Sequence, residues 1–258
     1  MAPWSRASLL SLPRAPLLAL GLALGLAAAT PRPARGEDAA ALLRQADWTA
    51  EIARAGLSVR VTVDDGAAPV GALLRSSGSA LRVDVESPAA RAGEVLLYAN
   101  GRWWFSRPGL RRPAPVSAGQ VLGARAATAD LVLLLDGFSE NYKIESQSTD
   151  TLDGQAAQRL DLVAATPEAD WPSLRVWLTG TPARIGQVAV ISAGGKVSRT
   201  ARIAWDQSVA SASGKRPFPS VVTLTDGAGK ALATLTYGAP TAAPLDDALF
   251  DPARLAAP

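Results

Sequence analysis

The chain of 258 residues has no cysteine and no histidine, a single methionine, and only 5% Phe, Trp and Tyr. Without cysteine there is no disulfide to staple the fold, no thiol chemistry, and no acceptor for the acyl groups that anchor a lipoprotein at its cleavage site. Without histidine the commonest general base is missing. The two absences together exclude His-based catalytic triads, most zinc sites and haem ligation. Carboxylates, lysines and hydroxyls remain. The adjacent acids Asp64-Asp65 and Asp246-Asp247 make poor acid/base pairs, because neighbours on an extended segment point apart, and they read as solvated turn residues. No glycine-rich dinucleotide fingerprint or phosphate loop occurs. No catalytic residue, metal ligand or cofactor is therefore expected, and the chain does not read as an enzyme.

Long apolar runs are scarce as well. The longest, Leu17 to Ala29, follows Arg6 and Arg14 and precedes the small-x-small triplet Ala34-Arg35-Gly36. It is shorter than the roughly 20 residues of a spanning helix. This is the pattern of a secretory signal peptide, with cleavage expected after Gly36, against the alternative of an uncleaved anchor. Residues 1–36 are thus expected to be a leader and 37–258 a single exported domain. Four of the 26 Lys/Arg and none of the 23 acids fall in the leader, so the remainder carries 22 cations against 23 anions, a net charge of −1. No run of Lys/Arg survives to bind nucleic acid.

What is present is alternation. Asp38 to Trp48 places Ala39, Leu42, Leu43 and Ala46 at helical spacing, so one N-terminal helix is expected there. Leu57 to Val63, Val70 to Arg75, Leu81 to Val85, Glu94 to Tyr98 and Arg102 to Phe105 read as five antiparallel strands. Asn100-Gly101 is the hairpin turn between the last two, since both turn positions need positive φ. After a change of period, Ser117 to Gln120 fits a capping box, and Thr128 to Leu135 fits a short apolar helix stopped by Gly137. Strands resume at Tyr142–Glu145, Ala156–Val163, Leu174–Thr179, Val188–Ser192, Val197–Trp205, Ser220–Thr225 and Ala231–Tyr237. Short strands between glycine turns point to a barrel or strongly curved antiparallel sheet, with a helical plug in mid-chain.

The order Ser87-Pro88, Gly93, a strand, Trp104 four residues before Pro108, Arg111-Arg112, Gly123, Asp130 and a short helical stretch resembles the LolA-like periplasmic carriers, the outer-membrane lipoprotein-sorting proteins. Leu152-Asp153-Gly154 through Leu160 and Leu249-Phe250-Asp251-Pro252 extend the resemblance, which covers about Val83 to Leu255. It implies an unclosed half-barrel with a helical lid, and the partners of a carrier: an inner-membrane exporter that loads it and an outer-membrane acceptor.

The residues themselves indicate where cargo would sit. Trp103, Trp104 and Phe105 put aromatic bulk on both faces of one strand, and Phe138, Trp177 and Trp205 add rings from distant segments. Their plainest reading is a common core. Five consecutive apolar residues, Leu131 to Leu135, are too many for one helix face, which leaves some to meet a ligand or partner. The expected hydrophobic cavity and lid comprise Leu97, Trp103, Trp104, Phe105, Leu131, Leu134, Leu135, Phe138, Trp177 and Trp205, with Arg111 and Arg112 as contacts to anionic headgroups. The expected function is a monomeric carrier of lipid or lipoprotein acyl chains. The alternative is a sensor or adaptor on the same fold, bound to an inner-membrane exporter or regulator.

Overall fold

In the computed structural model the described residues are 36–116, 137–166, 169, 171–211 and 214–255. Two helices open the described chain, α1 (Gly36–Ala46) and α2 (Trp48–Gly56). Helix α1 buries Ala39, Leu43 and Ala46 and exposes Arg44, as its pattern requires. Helix α2 was not expected. Its apolar face is nonetheless periodic, with Trp48, Ile52 and Ala53 buried, and Asp47 marks the break between the helices. Gly56 ends α2 at φ 121°, and a Cβ there would lie 2.1 Å from the carbonyl oxygen of Ala243, so only glycine fits.

The strands are β1 (Leu57–Asp64), β2 (Val70–Ser77), β3 (Ala80–Ser87), β4 (Val95–Ala99), β5 (Arg102–Ser106) and β6 (Ala114–Val116), then, after α3 (Phe138–Asn141), β7 (Tyr142–Leu152), β8 (Gln155–Ala164), β9 (Ser173–Thr179), β10 (Arg184–Ile191) and β11 (Val197–Ala204). The remainder are β12 (Gln207–Ser211), β13 (Gly214–Phe218), β14 (Val221–Asp226), β15 (Ala231–Tyr237) and β16 (Thr241–Ala242). Fourteen of them form one sheet in the order β6-β5-β4-β3-β2-β1-β15-β14-β11-β10-β9-β8-β7, with β16 beside β1. Every pairing is antiparallel, and β6 and β7 are the edges, so the sheet is unclosed. The chain starts in the middle of the sheet, runs outward to one edge, passes to the other edge between Val116 and Gly137, and works back to lie against β1.

Period-two alternation builds the core. Leu57, Val59, Val61 and Val63 of β1, Leu81, Val83 and Val85 of β3, Leu174, Val176 and Leu178 of β9, and their neighbours form one cluster with Leu43, Trp48, Ile52 and Phe138 of the helices. Helix α2 lies on β1 and β2, and α1 on β7, β9 and β10. The buried Ser76 hydroxyl donates to the carbonyl of Ala53 at 2.6 Å, which ties α2 to the sheet.

The opposite face of β4 and β5 is covered separately. Leu97, Ala99, Phe250 and Leu255 form a second buried cluster, joined by Trp104, Leu245 and Leu249. Its cover is a C-terminal strap of two 3-10 turns, Asp247–Phe250 and Pro252–Arg254. Asp246 and Asp251 cap these turns through the amides of Ala248 and Ala253. Arg82 and Ser106 then donate to the carbonyls of Leu249 and Leu255, at 2.9 and 3.0 Å.

The structure corrects the sequence reading in several places. Six strands, not five, precede residue 117, and β12, β13 and β16 are additional. β7 continues past Glu145 to Leu152 because an edge strand needs no apolar alternation in its outer half, and Ser146 to Asp150 show none. The expected capping box at 117–120 and helix at 128–135 lie outside the described residues. Because Phe250 is 8% exposed and centres the strap's contacts, Phe250→Ala is expected to lower stability by about 3 kcal/mol, read as a fall in the urea unfolding midpoint without a change in the far-ultraviolet circular dichroism.

Candidate functional site

Strand register sorts the aromatic residues into different places. Tyr98 pairs with Trp103 and Leu96 with Phe105, and these side chains share the face of β4 and β5 that continues into the main core. The rings of Tyr98 and Trp103 lie 5.2 Å apart, tilted by 47°. Val116 pairs with Trp103 and Ala114 with Phe105, extending the patch to the edge strand β6. Trp103 and Phe105 are only partly buried although they pack on the core. Leu97 and Trp104 also pair with each other, but on the reverse face beneath the strap.

The other expected site residues do not join this patch. Trp177 stands opposite Arg159, out of phase with the core residues Val176 and Leu178, and its indole donates to Asp150 at 2.9 Å. It belongs to the outer face. Trp205 donates to the carbonyl of Ile185 at 2.8 Å and packs 5.7 Å from Trp48, closing the junction of α2 with the sheet. Phe138 is buried and stacks 6.0 Å from Tyr142 at the entry to β7. Arg111 and Arg112 are exposed between β5 and β6. Leu131, Leu134 and Leu135 lie outside the described residues. The structure thus brings Trp103 and Phe105 together with Tyr98, and separates them from Leu97, Trp104 and Trp177.

A groove of about 540 Å³ runs between α1 and the edge strand β7. Leu43, Tyr142 and Ile144 supply apolar surface, Arg44, Lys143 and Glu145 supply charge, and Ala40, Ser139, Ser146 and Gln147 complete the lining. The sequence reading missed it. A groove between a helix and a strand distant in sequence leaves no local pattern.

Asp47 is the second feature that went unseen. It sits between the two N-terminal helices at 7% exposure, and its carboxylate accepts the backbone N–H groups of Phe138, at 3.2 Å, and Ser139. It therefore caps α3 from across the fold, an N-terminal position where negative charge is favoured. Burial, opposed by these hydrogen bonds and by the charge of Arg54, pushes its pKa above the ordinary 3.8. Arg54 also pairs with Glu140 at 2.8 Å on the surface. The only sequence signal for this tie is an acid inside an apolar helical stretch.

On the outer face, burial would raise Asp161, but hydrogen bonds from Arg175 at 2.6 Å and Ser146 at 2.7 Å outweigh it and hold its pKa below the ordinary value. The Trp177 indole does the same for Asp150. These are strand-to-strand ties. Asp64 and Asp65 accept the amides of Gly66 and Ala67, as turn residues do. Among the described residues no three His, Cys, Asp or Glu side chains stand close enough to hold a metal ion. No described helix is long and apolar enough to cross a membrane.

Asp47 gives a pH test. A carboxylate with a raised folded pKa contributes its full stability below the unfolded value and loses it as pH rises through the folded one. Asp47→Asn removes this titration. The stability of the variant relative to the parent is expected to increase from about pH 4 to pH 7, on top of a pH-independent loss of about 1–3 kcal/mol from the altered cap. Urea midpoints across that range provide the check, and a constant difference would reject the assignment.

Comparison with known proteins adds the following. A family model described as "Uncharacterized protein" matches residues 80–257. No curated protein matches the sequence significantly. Among solved structures, the fold is similar to a LolA superfamily protein from Nitrosomonas europaea, with a TM-score of 0.62 and 18% identity over 80% of this chain and 97% of that one. It is similar to a domain from Vibrio parahaemolyticus described as an outer membrane lipoprotein-sorting protein, with a TM-score of 0.64 and 16% identity over 83% of this chain and 100% of the other. A DUF1329 family protein from Desulfovibrio piger matches with a TM-score of 0.66 and 12% identity, over 83% and 98% of the two chains. At these identities the likeness is one of fold.

Proposed function

We propose, from the premise that the chain belongs to the family matched over residues 80–257 and carries a LolA-like fold, that it is a periplasmic carrier of lipid or lipoprotein acyl chains. One observation carries this reading. The patch of Tyr98, Trp103 and Phe105 is apolar, only partly buried, and placed at the open end of an unclosed sheet. A globular core does not need to leave two large rings in that position. An acyl chain does need such a surface: each buried CH₂ contributes about 0.8 kcal/mol, so a 16-carbon chain gains roughly 10 kcal/mol before ordering costs, with no directional contact.

The remaining parts of the proposal follow from the leader and the surface. Residues 1–36 direct export, and residues 37–258 act as one domain and as a monomer. Arg111 and Arg112, exposed beyond the aromatic strand, meet anionic headgroups at a membrane surface. Cargo passes from an inner-membrane exporter to an outer-membrane acceptor. One structural neighbour is described as a lipoprotein-sorting protein, and the absence of His and Cys from the chain accords with a binding role.

The test is direct. Protein purified from its native envelope is extracted with organic solvent and analysed by mass spectrometry, and an apolar fluorescent probe is titrated against the delipidated protein. Acyl-bearing species are expected in the extract. Trp103→Ala combined with Phe105→Ala is expected to weaken probe binding about tenfold, the loss of roughly 1.4 kcal/mol of contact. An extract free of lipid, with no probe binding and one tightly cross-linked protein partner, would select the adaptor reading instead.

A further inference from the structure

We infer that the groove between α1 and β7 seats the headgroup of a zwitterionic phospholipid, its phosphate on Arg44 and Lys143 and its ammonium on Glu145. This rests on the carrier reading above and adds to it a choice among lipids.

The geometry of β7 comes first. Successive side chains of a regular strand face opposite sides of the sheet, yet residues 143–147 all line the groove. Two features permit this. β7 is an edge, so a groove that follows its open flank meets both sets of side chains. β7 also carries a bulge: Ile144 pairs with Leu162 and Ser146 with Asp161, and Glu145 has no partner in β8. A bulge of this kind re-aims the extra side chain, and bulges of this kind are frequent beside functional sites.

The charges come second. Several described cations of this protein are held in ion pairs, including Arg54 with Glu140, Arg60 with Glu86, Arg75 and Arg82 with Asp84, and Arg175 with Asp161. The side chains of Arg44, Lys143 and Glu145 have no ion pair or hydrogen bond among the described residues, and all three line one groove. Arginine offers a two-pronged donor to phosphate and lysine a point charge. The carboxylate would repel a plain anion and accept a primary ammonium. A neutral lipid would leave all three charges unused. The buried Leu43 and Tyr142, with Ile144, give the first carbons of the tails an apolar floor. The volume of about 540 Å³ suits a small-molecule headgroup, such sites spanning roughly 300–1,000 Å³.

The test uses the full-length exported protein and short-chain ligands below their micellar concentrations: dihexanoyl phosphatidylethanolamine, dihexanoyl phosphatidic acid, dihexanoylglycerol and free phosphoethanolamine. Calorimetric titration is expected to rank phosphatidylethanolamine about fivefold tighter than either other lipid, the upper end of what an exposed charge pair supplies. Arg44→Gln with Lys143→Gln should reduce its affinity to that of dihexanoylglycerol. Glu145→Gln should abolish its advantage over phosphatidic acid while leaving binding intact. All three positions are exposed, and unchanged melting temperatures will verify folding. Equal affinities for the three lipids, or a preference for phosphatidic acid, would overturn the headgroup assignment and leave the carrier standing. Free phosphoethanolamine binding as tightly as the lipid would overturn the lipid as its source. Failure of every lipid to bind would remove the carrier reading together with this one.

Discussion

The apolar face shared by a long antiparallel sheet and two short helices holds most of this protein together, beside a smaller cluster beneath the C-terminal strap. With no cysteine in the chain, nothing covalent supplements that face, and stability comes from burying the alternating Val, Leu and Ile side chains of the strands against Leu43, Trp48 and Ile52. The residues at the ends of the sheet experience the same constraint differently. Helix α2 covers β1 and β2 near the middle, and α1 covers β9 and β10 and reaches the edge strand β7. Toward β6 the apolar face continues as Tyr98, Trp103 and Phe105, partly buried, and at β7 it ends in a groove. The features proposed as functional lie toward the two edges of the sheet.

An unclosed sheet must also defend its edges. β6 is three residues long and contains Pro115, which cannot donate to a neighbouring strand. β7 is eleven residues long but bulged, with Lys143 and Glu145 exposed near its start. Both devices discourage pairing with another chain. The same bulge shapes the groove beside α1, so a feature that protects the edge also places charge where a ligand can reach it. Asp47, buried between the helices, fastens the start of β7 through α3 and fixes that wall of the groove relative to α1.

Much of the sheet was legible because local chemistry dictated it. Leu57 to Val63 alternate cleanly, and Asn100-Gly101 adopt the positive φ values of 54° and 72° that the hairpin requires. Strands whose residues are not alternately apolar were lost: β12 and β13 contain Ser, Lys and Pro, and the outer half of β7 is polar. The aromatic set was legible as a list and not as a site. Alternation placed Trp103 and Trp104 on opposite faces, but the reading could not tell that a strap from residues 245–255 claims Trp104 and Leu97, or that Trp177 faces outward to Asp150. Asp47 and the groove depend on contacts between distant segments, which no window of sequence contains.

The order of strands has a consequence for how the molecule comes into being. β1, the first strand made, has β2 on one side and β15, nearly the last, on the other, with Val61 against Tyr237. The sheet's central seam therefore stays open until almost the entire polypeptide has been synthesised, and such long-range pairing is intrinsically slow. This topology postpones completion of the structure until the C-terminal strands are available.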